Sequence, residues 1–152
     1  MADRPAHESE VPGSPTDVVT CFLVRRDRGG IEVFVVRRSE RVRTYRGHWG
    51  AISGYVEAGI NPLDQAYTEM REETRLTRDE FRLVRRGAPL PVRDADHDLS
   101  WTVHPFLFET DVPDHVRTDW EAAEARWVDP AELLTLPTVP ALAAAYALVD
   151  GR

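Results

Sequence analysis

The stretch from Ser53 to Leu76 constrains this chain more than any other. It begins as a glycine-containing loop, Ser53-Gly54-Tyr55-Val56-Glu57-Ala58-Gly59, and passes into a strong helix start: Asn61 as N-cap, Pro62 at the first helical position, and the Asp64 carboxylate in the first turn. Leu63, Ala66, Tyr67, Met70 and Thr74 then recur at helical spacing and form one apolar face. At about 100° per residue, Glu69, Glu72 and Glu73 fall on the remaining arc, away from that stripe. Like charges at i, i+3 and i+4 cost a helix roughly 0.2–0.5 kcal/mol per pair. Either Arg71 and Arg75 offset that cost on a solvated face, or a cation does. Magnesium takes hard oxygen ligands, usually one or two carboxylates plus water and substrate phosphate, so such a cluster suits it chemically.

The elements around this helix set the fold class. Val18 to Val24 and Ile31 to Val36 are β-branched, apolar runs joined by the turn Asp27-Arg28-Gly29-Gly30, which predicts a hairpin. Trp49 to Val56 is extended. Further strands are expected at Phe81–Val84, Pro91–Arg93, Trp101–Phe108 and Ala125–Val128, with a C-terminal helix over Pro140–Val149. Strands, a helix, more strands and a final helix make a compact α/β sandwich. Residues 1–16, with three prolines and little apolar content, read as a disordered leader ahead of one domain over 17–152.

Composition removes several classes. The lone Cys21 forms no internal disulfide, and no Cys/His spacing suggests zinc; in a strand it reads as a small buried apolar residue. The N-terminus lacks the apolar run of a signal peptide, and no segment has the ~18 apolar residues needed to cross a bilayer. The expectation is a cytoplasmic protein with no membrane partner. A net charge of −7 argues against a nucleic-acid partner.

That charge is unevenly placed. All 19 basic residues are arginine, and eight of them lie between Arg25 and Arg46 against three acids, a local charge of +5. From Asp94 to Glu132 eleven acids face two arginines, a local charge of −9. A small ligand carrying phosphates together with metal ions would use both regions. Arg37, Arg38, Arg43 and Arg46 are the candidate phosphate clamps, since guanidinium grips phosphate bidentately. Strand neighbours point to opposite faces, so Arg37 and Arg38 do not both face one pocket in a regular strand. Trp49, Trp101 and His104 are candidates for contacting a base, with core packing as the alternative for each.

Gly54 and the helix carrying Glu69-Met70-Arg71-Glu72-Glu73 resemble the Nudix box: G, five residues, E, seven residues, R-E-U-x-E-E-x-G-U, with U apolar. Gly54, Glu69, Met70, Glu72, Glu73 and Leu76 match six of the nine defined positions. Ile60 stands in place of the first Glu, Thr68 in place of Arg, and Arg75 in place of the second Gly. In the family that Glu and Arg brace the loop against the helix. Here both are missing, and packing of Ile60 and Thr68 is expected to replace the pair. With Arg75 in place of glycine, the helix is expected to continue through Leu76 to Thr77. The resemblance extends to the opening hairpin, the arginines after it, Trp49, and the segment Glu121 to Leu133.

The resemblance implies a Nudix-type α/β/α sandwich with a mixed β-sheet. It also implies Mg2+-dependent hydrolysis, with Mn2+ as an alternative ion, of the pyrophosphate bond in a nucleoside diphosphate linked to another group. Glu69, Glu72 and Glu73, with the Ser53 carbonyl, would hold the metal; Glu69, Glu73 and Glu121 are the catalytic candidates, and Glu124 is the other late-loop acid. Arg37, Arg43, Arg46, Trp49 and Gly54 would contact a nucleotide-like substrate. Pro91, fifteen residues after Leu76, matches a spacing found in ADP-ribose hydrolases, although two prolines already occupy that turn. The rival reading is a non-catalytic Nudix-fold module that binds or senses a nucleotide. A homodimer is left open.

Overall fold

The computed structural model describes residues 16–118 and 122–151. The expected leader, save Thr16, and the candidate Glu121 lie outside those residues. Eight described strands form one mixed sheet: β1 (Thr16–Asp27), β2 (Gly30–Arg38), β3 (Trp49–Gly50), β4 (Ile52–Tyr55), β5 (Arg82–Arg86), β6 (Leu90–Asp94), β7 (Leu99–Glu109) and β8 (Ala122–Val128). Among the described residues two α-helices accompany it, α1 (Pro62–Thr74) and α2 (Leu142–Ala147). The α/β sandwich with a mixed sheet is therefore as expected.

The long strand β1 organises everything. Its first half pairs antiparallel with β4, Thr20 opposite Ser53 and Val19 opposite Gly54, and its second half with β2. Along its other edge it runs parallel to β7 from Thr16 to Val24. Because side chains alternate across a strand, Val19, Cys21 and Leu23 pack against Ala66 and Met70 of α1, while Phe22 and Val24 pack with Leu142, Ala145 and Tyr146 of α2. Cys21 is fully buried, with its thiol 3.8 Å from the Ala66 carbonyl, and burial pushes that thiol well above its ordinary pKa. No helix among the described residues is long and apolar enough to cross a membrane.

Three expectations change. The C-terminal helix is shorter, Leu142–Ala147, because Ala141 takes a left-handed conformation ahead of it. Helix α1 does not run to Thr77. It stops at Thr74, and Arg75 adopts φ 64°, ψ 9°, with its N–H bonded to the Arg71 carbonyl. Arginine thus occupies the left-handed cap conformation that glycine enters without steric cost. Ile60 and Thr68 do not pack together as a brace: Ile60 is 43% exposed, and the Thr68 hydroxyl donates to the Asp64 carbonyl within its own helix.

Candidate active site

The start of α1 is built as its sequence predicts. Asn61 is extended, its side chain accepts the Asp64 N–H at 2.9 Å, and Pro62 opens the helix. That cap directs the buried face of α1 onto β4, and the apolar stripe of Ala66, Met70 and Thr74 is buried as expected. Glu69 is not on the solvent arc. It is fully buried, along with Gln65 one turn earlier.

The reason is Gly54. A Cβ built there would lie 2.2 Å from the Glu69 Cδ and 2.5 and 2.6 Å from its two oxygens, so only a residue without a side chain lets the carboxylate rest on β4. Gln65 holds the opposite flank: its Nε2 donates to Glu69 Oε2 at 2.8 Å. Its Oε1 accepts the Glu57 N–H at 3.1 Å, which ties the loop after β4 to the helix. Burial pushes the Glu69 carboxyl above the ordinary glutamate range. The Glu72 charge adds to the rise, while hydrogen bonds with Glu73 and Gln65 oppose it. Gln65 was missed in the sequence because it interrupts the apolar stripe as an ordinary polar residue. The legible signal was its i,i+4 relation to Glu69.

Glu73 is half-buried, with Oε2 out of solvent, and Glu72 is exposed. Among the described residues no three His, Cys, Asp or Glu side chains form a ready metal cage. The chemistry of the set nevertheless fits a hard divalent cation. It offers carboxylate oxygens, those of Glu69 and the Glu73 Oε2 among them buried, and the Glu72 charge acting on Glu69 is a repulsion that a cation removes. Ser53 lies in β4 beside Gly54.

The arginines gather elsewhere. A cavity of about 450 Å3 is lined by Arg43, Tyr45, Arg46, His48, Asp94 and His97, together with Thr138 and neighbours. None of the three glutamates lines it. The loop between β2 and β3 carries the cavity's basic wall and is fastened by Arg38, whose Nε donates to the Thr44 carbonyl at 2.8 Å. Tyr45 sits at φ 51°, a conformation uncommon for a bulky residue. Its hydroxyl donates to Asp94 Oδ2 at 2.6 Å, and His97 Nδ1 lies 2.8 Å from the same oxygen. The Tyr45 ring lies 6.1 Å from the His48 ring and 5.4 Å from the His97 ring. Burial, and then the bond to Asp94, push the Tyr45 phenol far up, while that bond foremost and His97 next hold the Asp94 carboxyl down. Tyr45 and Asp94 are distant in sequence, and nothing local announces the pair.

Arg37 and Arg38 do diverge, and a bulge separates them. Arg37 pairs with Glu124 at 3.4 Å instead of lining the cavity. Glu124 also accepts from Arg126 at 2.9 Å, and these bonds, Arg126 first, hold its carboxyl low. Trp49 is 3% exposed, packs in the α2-side core, and carries the Arg126 guanidinium over its ring at 4.6 Å, so its place is structural. Trp101 is half-buried near Tyr45, and His104 bonds Asp17 at 2.9 Å.

A family model described as the NUDIX domain matches residues 14–149. No curated protein matches the sequence. Among solved structures, a C. elegans Ap4A hydrolase binary complex is 17% identical with a TM-score of 0.72, covering 87% of this chain and 93% of that one. A Nudix hydrolase from M. smegmatis, RenU, is 20% identical with a TM-score of 0.72, covering 87% and 81%. The NUDIX domain of Shewanella oneidensis NrtR complexed with ADP ribose is 15% identical with a TM-score of 0.62, covering 88% and 87%. At these identities the likeness is one of fold.

Proposed function

This chain belongs to the Nudix family, and from that premise we propose that it is a Nudix hydrolase cleaving the pyrophosphate bond of a small nucleoside diphosphate derivative of the dNTP, ADP-ribose or nucleotide-sugar type. One observation carries the reading: Glu69 is kept fully buried, pressed on Gly54 and hydrogen-bonded by Gln65, beside two further glutamates. A buried carboxylate costs several kcal/mol unless something binds it. The similar folds described with ADP ribose and as an Ap4A hydrolase support a nucleotide as the ligand.

Glu69, Glu72 and Glu73, with the Ser53 carbonyl, would hold Mg2+ or Mn2+, which when bound neutralises pyrophosphate oxygens and acidifies water. The chain's own groups do the rest. Arg43 and Arg46 take phosphate oxygens at the cavity, and the rings of Tyr45, His48 and His97 offer faces and edges to a base. Gly54 lets strand β4 lie directly over Glu69. We assign the proton from the attacking water to Glu121, the helix residue Glu73 being the alternative acceptor. Glu124 serves less well, because Arg126 and Arg37 lower its basicity.

The test is incubation with dNTPs, ADP-ribose, NADH, dinucleoside polyphosphates and nucleotide sugars, with and without Mg2+, and detection of products by mass. Metal-dependent turnover that vanishes in Glu72→Gln and Glu73→Gln is expected. A second reading, a nucleotide-binding module without turnover, is favoured by the altered positions Ile60, Thr68 and Arg75. Tight, metal-independent binding of one panel member with no turnover of any would establish it and overturn the hydrolase.

A further inference from the structure

Gln65 is 1% exposed on the buried face of α1, which it shares with Ala66, Glu69, Met70 and Thr74. Burying a primary amide is costly unless its groups are bonded, and here both ends are spent on the candidate active site. Its oxygen accepts the Glu57 N–H at 3.1 Å, and its nitrogen donates to Glu69 Oε2 at 2.8 Å. The loop after β4 and the buried carboxylate are thereby joined through one side chain. Neither Ile60 nor Thr68 makes such a link, since one is exposed and the other bonds its own helix.

The residue type is the one this task requires. Glutamate would supply the acceptor for Glu57 but no donor, and would set a second charge beside Glu69. Arginine would supply donors but no acceptor. Asparagine is one methylene shorter, and two simultaneous bonds, one of them reaching a full helical turn, leave no slack for it. On the opposite flank Gly54 blocks retreat, because its backbone is in contact with the Glu69 carboxylate. We propose that Gln65 is the positioning residue of this site, a neutral brace that locks the glycine loop onto α1 and fixes the direction of the Glu69 carboxylate. The inference rests on the hydrolase reading for its effect on turnover and on the glutamate set for its effect on metal.

Two variants test it. Gln65→Met keeps the length and loses both bonds, whereas Gln65→Glu keeps the acceptor for Glu57 and loses the donor to Glu69. Outer partners of metal-binding side chains are worth about 10- to 100-fold in metal affinity or activity. Both variants should therefore lose at least about tenfold in kcat, and in Mg2+ affinity by calorimetry, with KM for the nucleotide unchanged within about twofold. Hydrogen exchange of the Glu57 amide should accelerate in Gln65→Met and remain slow in Gln65→Glu. Wild-type kcat and Mg2+ affinity in Gln65→Met, or a loss confined to KM, would overturn the assignment, and Gln65→Glu decides the matter if the methionine variant does not fold. If the wild type turns over no panel member, the hydrolase reading falls alone, and Mg2+ calorimetry with Glu57 exchange still judges Gln65. A wild type that binds no Mg2+ overturns both.

Discussion

Gly54→Ala is the most informative single substitution. The added methyl would lie 2.2 Å from the Glu69 Cδ and 2.5 Å from its nearer oxygen, where an ordinary carbon contact begins near 3.4 Å. The carboxylate would have to retreat by about 1 Å. That retreat is resisted, because the carboxylate is fully buried and held by Gln65 at 2.8 Å. Overpacking of this kind costs about 1–3 kcal/mol, and breaking a hydrogen bond to a charged group costs about 1.5–3 kcal/mol. The two are alternative ways of relieving one clash, so roughly 2–3 kcal/mol is expected in total. For a domain of this size that lowers Tm by roughly 4–12 °C. Thermal and urea unfolding of Gly54→Ala, Glu69→Ala and the double variant give the decisive measurement. With Glu69 truncated the methyl has room, so the double variant should be more stable than the sum of the singles by about 1–3 kcal/mol. Additivity within about 0.5 kcal/mol, or a wild-type Tm for Gly54→Ala, would refute the packing argument.

Other outcomes follow from the same geometry. Burial raises the folded-state pKa of Glu69, so that carboxyl favours the folded state below the ordinary glutamate pKa and loses this contribution as pH rises through the raised value. Glu69→Gln should accordingly gain stability relative to wild type between acidic and neutral pH, and parallel unfolding curves at every pH would contradict it. Arg75 pays for its positive φ, and Arg75→Gly should raise stability by about 0.5–1 kcal/mol, read as a Tm increase of a few degrees; a decrease would mean the cap is unstrained. Tyr45→Phe removes the 2.6 Å bond to Asp94 beneath the arginine loop. A bond to an ionised acceptor is worth about 1.5–3 kcal/mol, so KM should rise by about 10- to 100-fold with little change in kcat; an unchanged KM would separate that loop from substrate binding. Mg2+ in hundredfold excess over its Kd should stabilise the wild type by about 2.7 kcal/mol, and Glu73→Gln by much less; equal shifts in the two proteins would count against Glu73 as a ligand.

Local patterns made much of this architecture readable. The hairpin of β1 and β2, the capped start of α1 and its apolar stripe follow from side-chain alternation, helical period and N-cap chemistry, all of which act within a few residues. The end of α1 was misread because Arg75 takes a conformation that its own side chain disfavours, and only surrounding structure sustains such strain. Trp49 sits beside the arginine loop in sequence, yet it is packed in the core with Leu133 and Tyr146, which come from the far end of the chain.

The residue order alone determined the family resemblance, the α/β class and which glutamates share a helix, because a box motif and a helical period are written in neighbouring positions. The tertiary structure decided which of those glutamates is buried, that Gln65 braces it, and that Tyr45 meets Asp94. The physical reason is close approach. Whether a carboxylate faces solvent or rests on a glycine depends on how near one element comes to another, and that distance is set by the packing of the whole sheet.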